Sequence, residues 1–325
     1  MKELFIVAGN AFTISAPDNV TGIDTIMPRF MPFVASEYQD PVLNVEITAG
    51  VLPELCGETI YEPDYDGIGA VIPRAFRTAD GALGFEFSHV KEQCPRLTMT
   101  MTQTLTEAKI FYVETSPAAD ALFLSHALMI AYVMATAATG TLLMHASAVV
   151  SGGSAYLFQG RSGTGKSTHS RMWLENIAGT ELLNDDHPVV RFSVDGTPMA
   201  YGTPWSGKTD CYRNSAAPIG GFVRIVRSPE NELKRLSPLM AYASLTASVF
   251  YLPFMTEVQR DVRHRTIERL AAMTPCCDMN CRPDADAAIV CSQGLLNTLK
   301  INRYEDKERI HTAHCNGPER CAGRG

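Results

Sequence analysis

Through the first 115 residues the apolar positions recur with the two-residue period of strands buried on one face. Residues 97–102 (LTMTMT) alternate strictly. The runs LFIVAG (4–9), VLNVEITAG (42–50), ALGFEF (82–87) and KIFYVE (109–114) are rich in β-branched and aromatic residues and are separated by Pro, Gly and Asp. Residues 1–115 are therefore expected to form a β-rich accessory domain, and no motif in them points to chemistry.

From residue 116 the period changes. Pro117 suits the first turn of a long helix that stops near Gly140, and a strand over 142–150 follows. Gly152 and Gly153 turn the chain into a strand over 155–158. A glycine-rich loop, a helix over 166–177 and a strand over 181–184 come next. Asp195-Gly196 marks a hairpin between 189–194 and 199–201. A strand over 222–226, helices over 238–251 and 257–273, a strand over 277–281 and a helix over 284–299 complete the pattern. Strands alternating with helices predict an α/β core over 116–300 built on a mixed sheet. Residues 301–325 are polar and Gly-containing and are expected to be a mobile tail. No internal repeat is visible.

Composition narrows the function classes. The 325 residues are 46% hydrophobic and 19% charged, which is a globular balance. A net charge of −7 argues against a nucleic-acid footprint. Arg260, Arg263, Arg265 and Arg269 cluster, but Glu257, Asp261 and Glu268 lie among them, and the pattern reads as a solvated helix face. Residues 121–144 carry no Asp, Glu, Lys or Arg and are long enough to span a bilayer. Ser125, His126, Thr136, Thr139, Gly140 and Thr141 interrupt them, however, so a buried helix is expected and no membrane partner. The nine cysteines are irregularly spaced and no signal-peptide pattern precedes them, which fits reduced thiols in a cytoplasm. Cys276, Cys277, Cys281 and Cys291 lack the paired spacing of zinc ligands; His311, His314, Cys315 and Cys321 come closer but lie in a tail with little apolar content.

The chemistry concentrates between residues 142 and 213. Gly160-Arg161-Ser162-Gly163-Thr164-Gly165-Lys166-Ser167 satisfies G-x-x-x-x-G-K-[ST], with a strand before it and a helix after it. Glycines let successive N–H groups turn inward onto phosphate oxygens, and the helix adds its positive end. Gly160, Ser162, Gly163, Thr164, Gly165, Lys166, Ser167 and Thr168 are thus the candidate nucleotide-binding residues. Lys166 is expected at the β- and γ-phosphates and Ser167 on Mg²⁺. Asp185 and Asp186 follow 19 and 20 residues after Lys166, at the end of the next strand. One of them is expected to hold the cation and the other to face the acceptor. His187 has no evident partner. His145, expected mid-strand among small neighbours, is the third element.

MHASAVV, GRSGTGKST and LLNDDH in that order resemble the superfamily of HPr kinase/phosphorylase and ATP-dependent phosphoenolpyruvate carboxykinase, over residues 142 to about 226. The resemblance implies an α/β phosphate-loop kinase core. It also implies that His145 and Asp186 sit at the metal and the acceptor, with Asp185 in support. Carboxykinases use the equivalent His and second Asp as metal ligands, whereas HPr kinases use the His and the Asp pair in acid–base chemistry on a serine hydroxyl. The chain departs from both. The helix before the His strand has no Arg-rich substrate motif, and YGTPWSGK (201–208) stands where HPr kinases carry an Arg-Gly-Leu-Gly-type stretch. The pattern is more similar to HPr-kinase-related proteins.

Lys208 and Arg213 are the candidate cations for the transferring phosphate; Arg213 is similarly placed to a phosphate-binding Arg of carboxykinases. Trp205 is open to two readings, a stacking surface for adenine or substrate and a packed core aromatic. The catalytic set is Asp186, Asp185, His145, Lys166, Arg213 and Lys208, and the metal set is Ser167, Asp186 and His145. The expectation is an ATP- and Mg²⁺-dependent kinase, with Mn²⁺ as the alternative cation. It would act on a hydroxyl of a peptide, a protein or a small molecule, and a homo-oligomer is open. The alternatives are a carboxykinase-like lyase and a nucleotide-binding regulatory module without turnover.

Overall fold

The computed structural model describes residues 1–18, 21–62, 71–89, 94–207 and 209–296. Lys208, His311, His314, Cys315, Cys321 and the whole expected tail lie outside these residues.

The N-terminal strands are β1 (Lys2–Val7), β2 (Asn10–Ser15), β3 (Leu43–Ala49), β4 (Glu58–Tyr61), β5 (Val71–Arg77), β6 (Leu83–His89), β7 (Leu97–Met101) and β8 (Glu107–Tyr112), with helix α1 (Thr21–Phe30) between β2 and β3. They form one mixed sheet in the order β1-β2-β3-β8-β7-β6-β5-β4. In β3, Leu43, Val45 and Ile47 are buried while Asn44 and Glu46 are exposed, so the period-2 pattern becomes a covered and an uncovered face.

Helix α2 (Pro117–Thr136) covers that sheet. It starts with Pro117 in its first turn and passes through a short 3-10 turn to Gly140, which adopts a left-handed conformation with φ of 75°. The helix is apolar almost all round because it is covered almost all round. Ala127, Leu128 and Tyr132 share one core with Phe5, Phe12 and Met99 of the sheet and with Val189, Trp205 and Phe254 from later in the chain. The Tyr132 hydroxyl donates to the Val7 carbonyl at 3.0 Å. The helix is long and apolar enough to cross a membrane, and 72% of that stretch is buried inside this fold.

The second sheet contains β9 (Leu142–Leu143), β10 (Ala146–Ser151), β11 (Ser154–Gln159), β12 (Glu181–Asp186), β13 (Val189–Phe192), β14 (Pro198–Tyr201), β15 (Ala216–Arg227), β16 (Glu232–Arg235) and β17 (Cys276–Cys281). The order β12-β10-β11-β15 continues through β14, β13 and β9, and β17 pairs with both β15 and β16. Parallel and antiparallel neighbours mix, since β10 and β11 are antiparallel while β11, β15 and β17 run parallel. Helices α3 (Lys166–Asn176), α4 (Pro238–Ser248), α5 (Glu257–Met273) and α6 (Ala285–Leu296) complete the described chain. The protein is thus mixed α/β, with two mixed sheets and six α-helices among the described residues.

Several elements differ from the sequence expectation. The strand expected over 142–150 is broken at His145, whose backbone N–H turns away from the sheet to the Ser248 carbonyl at 2.7 Å. β2, α1, β4, β5 and β16 were not expected. Proline hides two of them, Pro28 inside α1 and Pro73 inside β5, because it removes a backbone donor from each. β16 reads ELKR and is charged enough to pass for a loop. The arginine cluster on α5 is also not simply a solvated face. Arg263 is buried and donates to the Thr246 and Val249 carbonyls at the end of α4, and Arg269 lies 3.9 Å from the centre of the Phe192 ring.

Candidate functional site

The glycine-rich loop leaves β11 at Gly160 and enters α3 at Lys166. Gly163 and Gly165 take φ of 76° and 115°, values that an L side chain resists, and this lets the loop curl over the start of the helix. The Ser147 and Ser170 hydroxyls meet at 2.6 Å and fasten α3 to β10. The Lys166 ammonium points back under the loop, donating to the Gly160 carbonyl at 3.1 Å and to His145 Nε2 at 2.8 Å. An ammonium has only donors, so Nε2 must accept, and the ring proton of His145 lies on Nδ1. Nδ1 faces Asp186 Oδ1 at 3.2 Å. Burial lowers the Lys166 pKa, with the Asp186 and Asp185 charges opposing it.

His187 also reaches Asp186, its Nδ1 lying 3.3 Å from Oδ2. Its pKa is lowered to about 4 chiefly by burial, which keeps it neutral at physiological pH. Burial works to raise the pKa of Asp186. The hydrogen bond from His145 and the charges of His187, His145 and Lys166 outweigh it and hold the carboxyl below its ordinary value. The turn carrying Asp186 and His187 is held by Asn184, which is fully buried. Its Oδ1 accepts from the N–H groups of Asp186 and His187 at 3.1 and 2.8 Å, and its Nδ2 donates to the Trp205 carbonyl at 3.0 Å. The loop following Trp205 then passes so close that a Cβ on Gly207 would lie 2.7 Å from the Asp185 carbonyl oxygen.

These groups line a cleft of about 460 Å³ made by His145, Ser162, Gly163, Gly165, Lys166, Ser167, Thr168, Arg171, Asp185, Asp186, Gly207 and Thr209. Of the candidate residues, Gly160 touches the cleft through Lys166, while Thr164 bonds to the Arg161 carbonyl and faces a second cleft on the other side of the loop. That second cleft, of about 410 Å³, has Met172 and Ile225 as apolar walls and Arg227 and Arg282 at its rim. Arg227 donates to the Gly163 carbonyl and so braces the loop from that side.

The two aspartates differ in a way their adjacency does not show. Asp186 is held by histidines, whereas both carboxylate oxygens of Asp185 are buried without a hydrogen-bond partner. A buried ionised carboxylate without partners is costly. Sharing the cleft with the Ser167 hydroxyl and with Asp186, it has the donor chemistry of a divalent-cation site, so the residues present fit Mg²⁺.

Arg213 does not reach the cleft. It pairs with Glu181 at the opposite end of β12, where two exposed charges satisfy each other. Arg171, one turn beyond the loop on α3, stands in the cleft instead. Trp205 is 3% exposed, donates to the Ser125 carbonyl at 3.2 Å and packs on Tyr132, so it is a core aromatic and offers no face to a ligand. Asn184, Arg171 and Thr209 were not singled out from sequence, and His187, for which no partner was evident there, faces Asp186. An Asn before an Asp pair is a turn-former, and that was the available signal for Asn184. Cys276, Cys277, Cys281 and Cys291 are buried thiols, as is Cys211, and burial pushes Cys276 up to about 12 and Cys277 up to about 11.

No family model matches the chain, and no curated protein matches it. Among solved structures the chain is similar to the Hpr(Ser) kinase/phosphatase from Coxiella burnetii, at 12% identity over 52% of this chain and 98% of that chain, with a TM-score of 0.34. A likeness at that level brings no chemistry with it, and what the cleft does is read from its own residues.

Proposed function

We propose that the protein is an ATP-dependent phosphotransferase that moves the γ-phosphate to a hydroxyl of a peptide, a protein or a small molecule, in the cytoplasm. The observation carrying this reading is the Asp185 carboxylate, buried without a hydrogen-bond partner in the same cleft as Ser167 and Lys166. Loop N–H groups and the start of α3 would bind the phosphates, and Lys166 would leave His145 to follow charge developing on them. Ser167 and Asp185 would hold Mg²⁺, or Mn²⁺ in its place, for the neutralisation of phosphate charge that such a cation supplies. Asp186 would accept the proton of the attacking hydroxyl. His145 holds that carboxylate in place through Nδ1–H. A carboxylate of low basicity suffices because the hydroxyl proton leaves late in a loose transition state. Arg171 is the described cation placed to meet the transferring phosphate or an anionic acceptor.

A binding module without turnover has no need of the Asp186–His145 pair, and nothing among the described cleft residues favours a dicarboxylate lyase. The test is calorimetric titration with ATP, GTP and non-hydrolysable analogues, with and without Mg²⁺. Metal-dependent binding that disappears in Lys166→Ala supports the nucleotide site. Unchanged binding in that variant overturns it. Asp186→Asn should then keep nucleotide affinity and lose label transfer from γ-labelled ATP, whereas a module without turnover would transfer no label in the parent.

A further inference from the structure

We infer that Trp205 is a positioning residue for Asp186, and that through it the N-terminal sheet takes part in setting that carboxylate. The inference rests on the proposed function for what Asp186 does, and not for how its turn is held.

Residues 202–207 form a loop after β14, and the turn carrying Asp186 depends on them. Asn184 Nδ2 donates to the Trp205 carbonyl at 3.0 Å, and its Oδ1 accepts from the Asp186 and His187 N–H groups. The Thr203 hydroxyl donates to the His187 carbonyl at 2.7 Å, and the Gly207 N–H donates to the Asp185 carbonyl at 2.6 Å. Asn184 and Thr203 are fully buried, so solvent does not replace a partner lost there. Loop and turn therefore move as one unit. Bonds between them leave open what holds that unit against the rest of the fold.

Trp205 supplies this anchor. Its carbonyl accepts from Asn184, while its side chain belongs to a different part of the molecule. The indole Nε1–H donates to the Ser125 carbonyl of α2 at 3.2 Å. The ring centre lies 5.1 Å from that of Tyr132 and 6.0 Å from that of Phe30, the latter edge-on. Both rings are themselves fixed. The Tyr132 hydroxyl donates to the Val7 carbonyl of β1 at 3.0 Å and accepts from the Asn10 amide of β2 at 3.2 Å. Phe30 ends α1 and meets Phe5 and Phe12 edge-on at 5.7 and 6.4 Å. Rings interlocked in a close-packed core have little room to slide, so α1, α2, β1 and β2 set where the indole lies. Tryptophan suits the task because its bulk fills the space and its one N–H, spent on a backbone acceptor, adds direction.

The phosphate loop is held by other contacts. Lys166 bonds to the Gly160 carbonyl, and the Ser147–Ser170 pair fastens α3 to β10. A shift of the Trp205 loop would thus displace Asp186 against a phosphate loop that stays in place. A misplacement of about 1 Å between reacting groups costs about 100-fold in rate.

The test uses the full chain and Trp205→Phe, which keeps a ring in the core and loses the N–H to Ser125. Hydrogen exchange without nucleotide comes first. The Asp186 and His187 amides should exchange about tenfold faster or more in the variant, while the amides of α3 keep the parent rate. A general loss of stability would speed both sets alike. That result, or an unchanged rate at Asp186 and His187, overturns the inference. Tyr132→Phe, which removes the bond to Val7, should move the same two amides in the same direction, and no change there would detach the N-terminal sheet from the site. With Mg²⁺ and γ-labelled ATP, release of labelled phosphate to water is the second readout. In Trp205→Phe its kcat should fall about tenfold or more, with KM for ATP within about twofold of the parent. An equal kcat overturns the inference. If Trp205→Phe fails to fold by circular dichroism, Tyr132→Phe carries both readouts. Absence of release in the parent would remove the phosphotransfer reading, and the exchange rates would still decide how the turn is held.

Discussion

Asp185 and Asp186 are neighbours along β12 with opposite surroundings: Asp186 lies between two imidazole nitrogens at 3.2 and 3.3 Å, and Asp185 is buried with neither oxygen bonded. An unpaired buried carboxylate lowers stability, so Asp185→Asn should leave the nucleotide-free protein as stable as the parent or raise its Tm. The stabilisation that Mg²⁺ and ATP give the parent should disappear. Thermal unfolding with and without ligand measures both. A clear drop in the Tm of the ligand-free variant would sink the account of Asp185.

Arg171 lines the cleft, whereas Arg213, the cation expected there from the sequence, pairs with Glu181. Arg213→Ala removes an exposed ion pair with Glu181 and should change stability by less than about 1 kcal/mol, with phosphate transfer unaffected. Arg171→Ala should also leave stability within about 0.5 kcal/mol, but should lower the transfer rate by about two orders of magnitude or more. Rates measured side by side decide the matter; a larger loss in Arg213→Ala would reverse the assignment.

His169 gives stability a pH dependence. It is buried on α3, its Nε2 accepts from the Trp173 indole N–H at 3.2 Å, and burial lowers its pKa from 6.5 to about 4. Between those values the unfolded chain binds a proton that the folded protein refuses. Stability is therefore complete above pH 6.5, falls as the pH drops towards about 4, and levels off below it. The loss for this one group is about 3 kcal/mol. His187 has the same lowered value and adds in the same window. Denaturant titrations at several pH values should show a shallower slope for His169→Gln, which keeps an acceptor for Trp173. An unaltered slope would remove His169 as the cause.

Asn184→Ala should be among the most damaging single changes in the site. It strips the partner from the N–H groups of Asp186 and His187 and leaves the Thr203–Trp205 loop without its tie. A loss of about 2–4 kcal/mol is expected. In the fraction that folds, transfer should fall more than nucleotide affinity, because in the proposed function the turn positions Asp186 while the loop would hold the phosphates. Paired chemical denaturation and calorimetry separate the two effects.

Long and strongly periodic elements were legible in the sequence. α2 begins at Pro117 and is stopped by Gly140, and α5 spans Glu257–Met273, as its pattern predicts, with a capping box between Thr256 and Gln259 at its start. The glycine-rich loop and its flanking β11 and α3 were legible too, because loop, strand and helix signals adjoin there. β4, β5 and β16 were not. β16 pairs with the distant β17 and is masked by its charges, β5 is masked by Pro73, and β4 is only four residues long.

By itself, the sequence determined which chemical groups the chain has available: a phosphate-type loop ending in Lys166 and Ser167, an aspartate pair 19 and 20 residues on, and a histidine one strand before. Tertiary structure alone decided what each of them touches. Side-chain surroundings depend on neighbours distant in the chain, so the sequence does not show that His145 meets Lys166, that His187 turns onto Asp186, or that Asp185 is left unpaired. Arg213 was drawn out of the site by the same rule, since its partner Glu181 lies at the far end of the strand that carries Asp186.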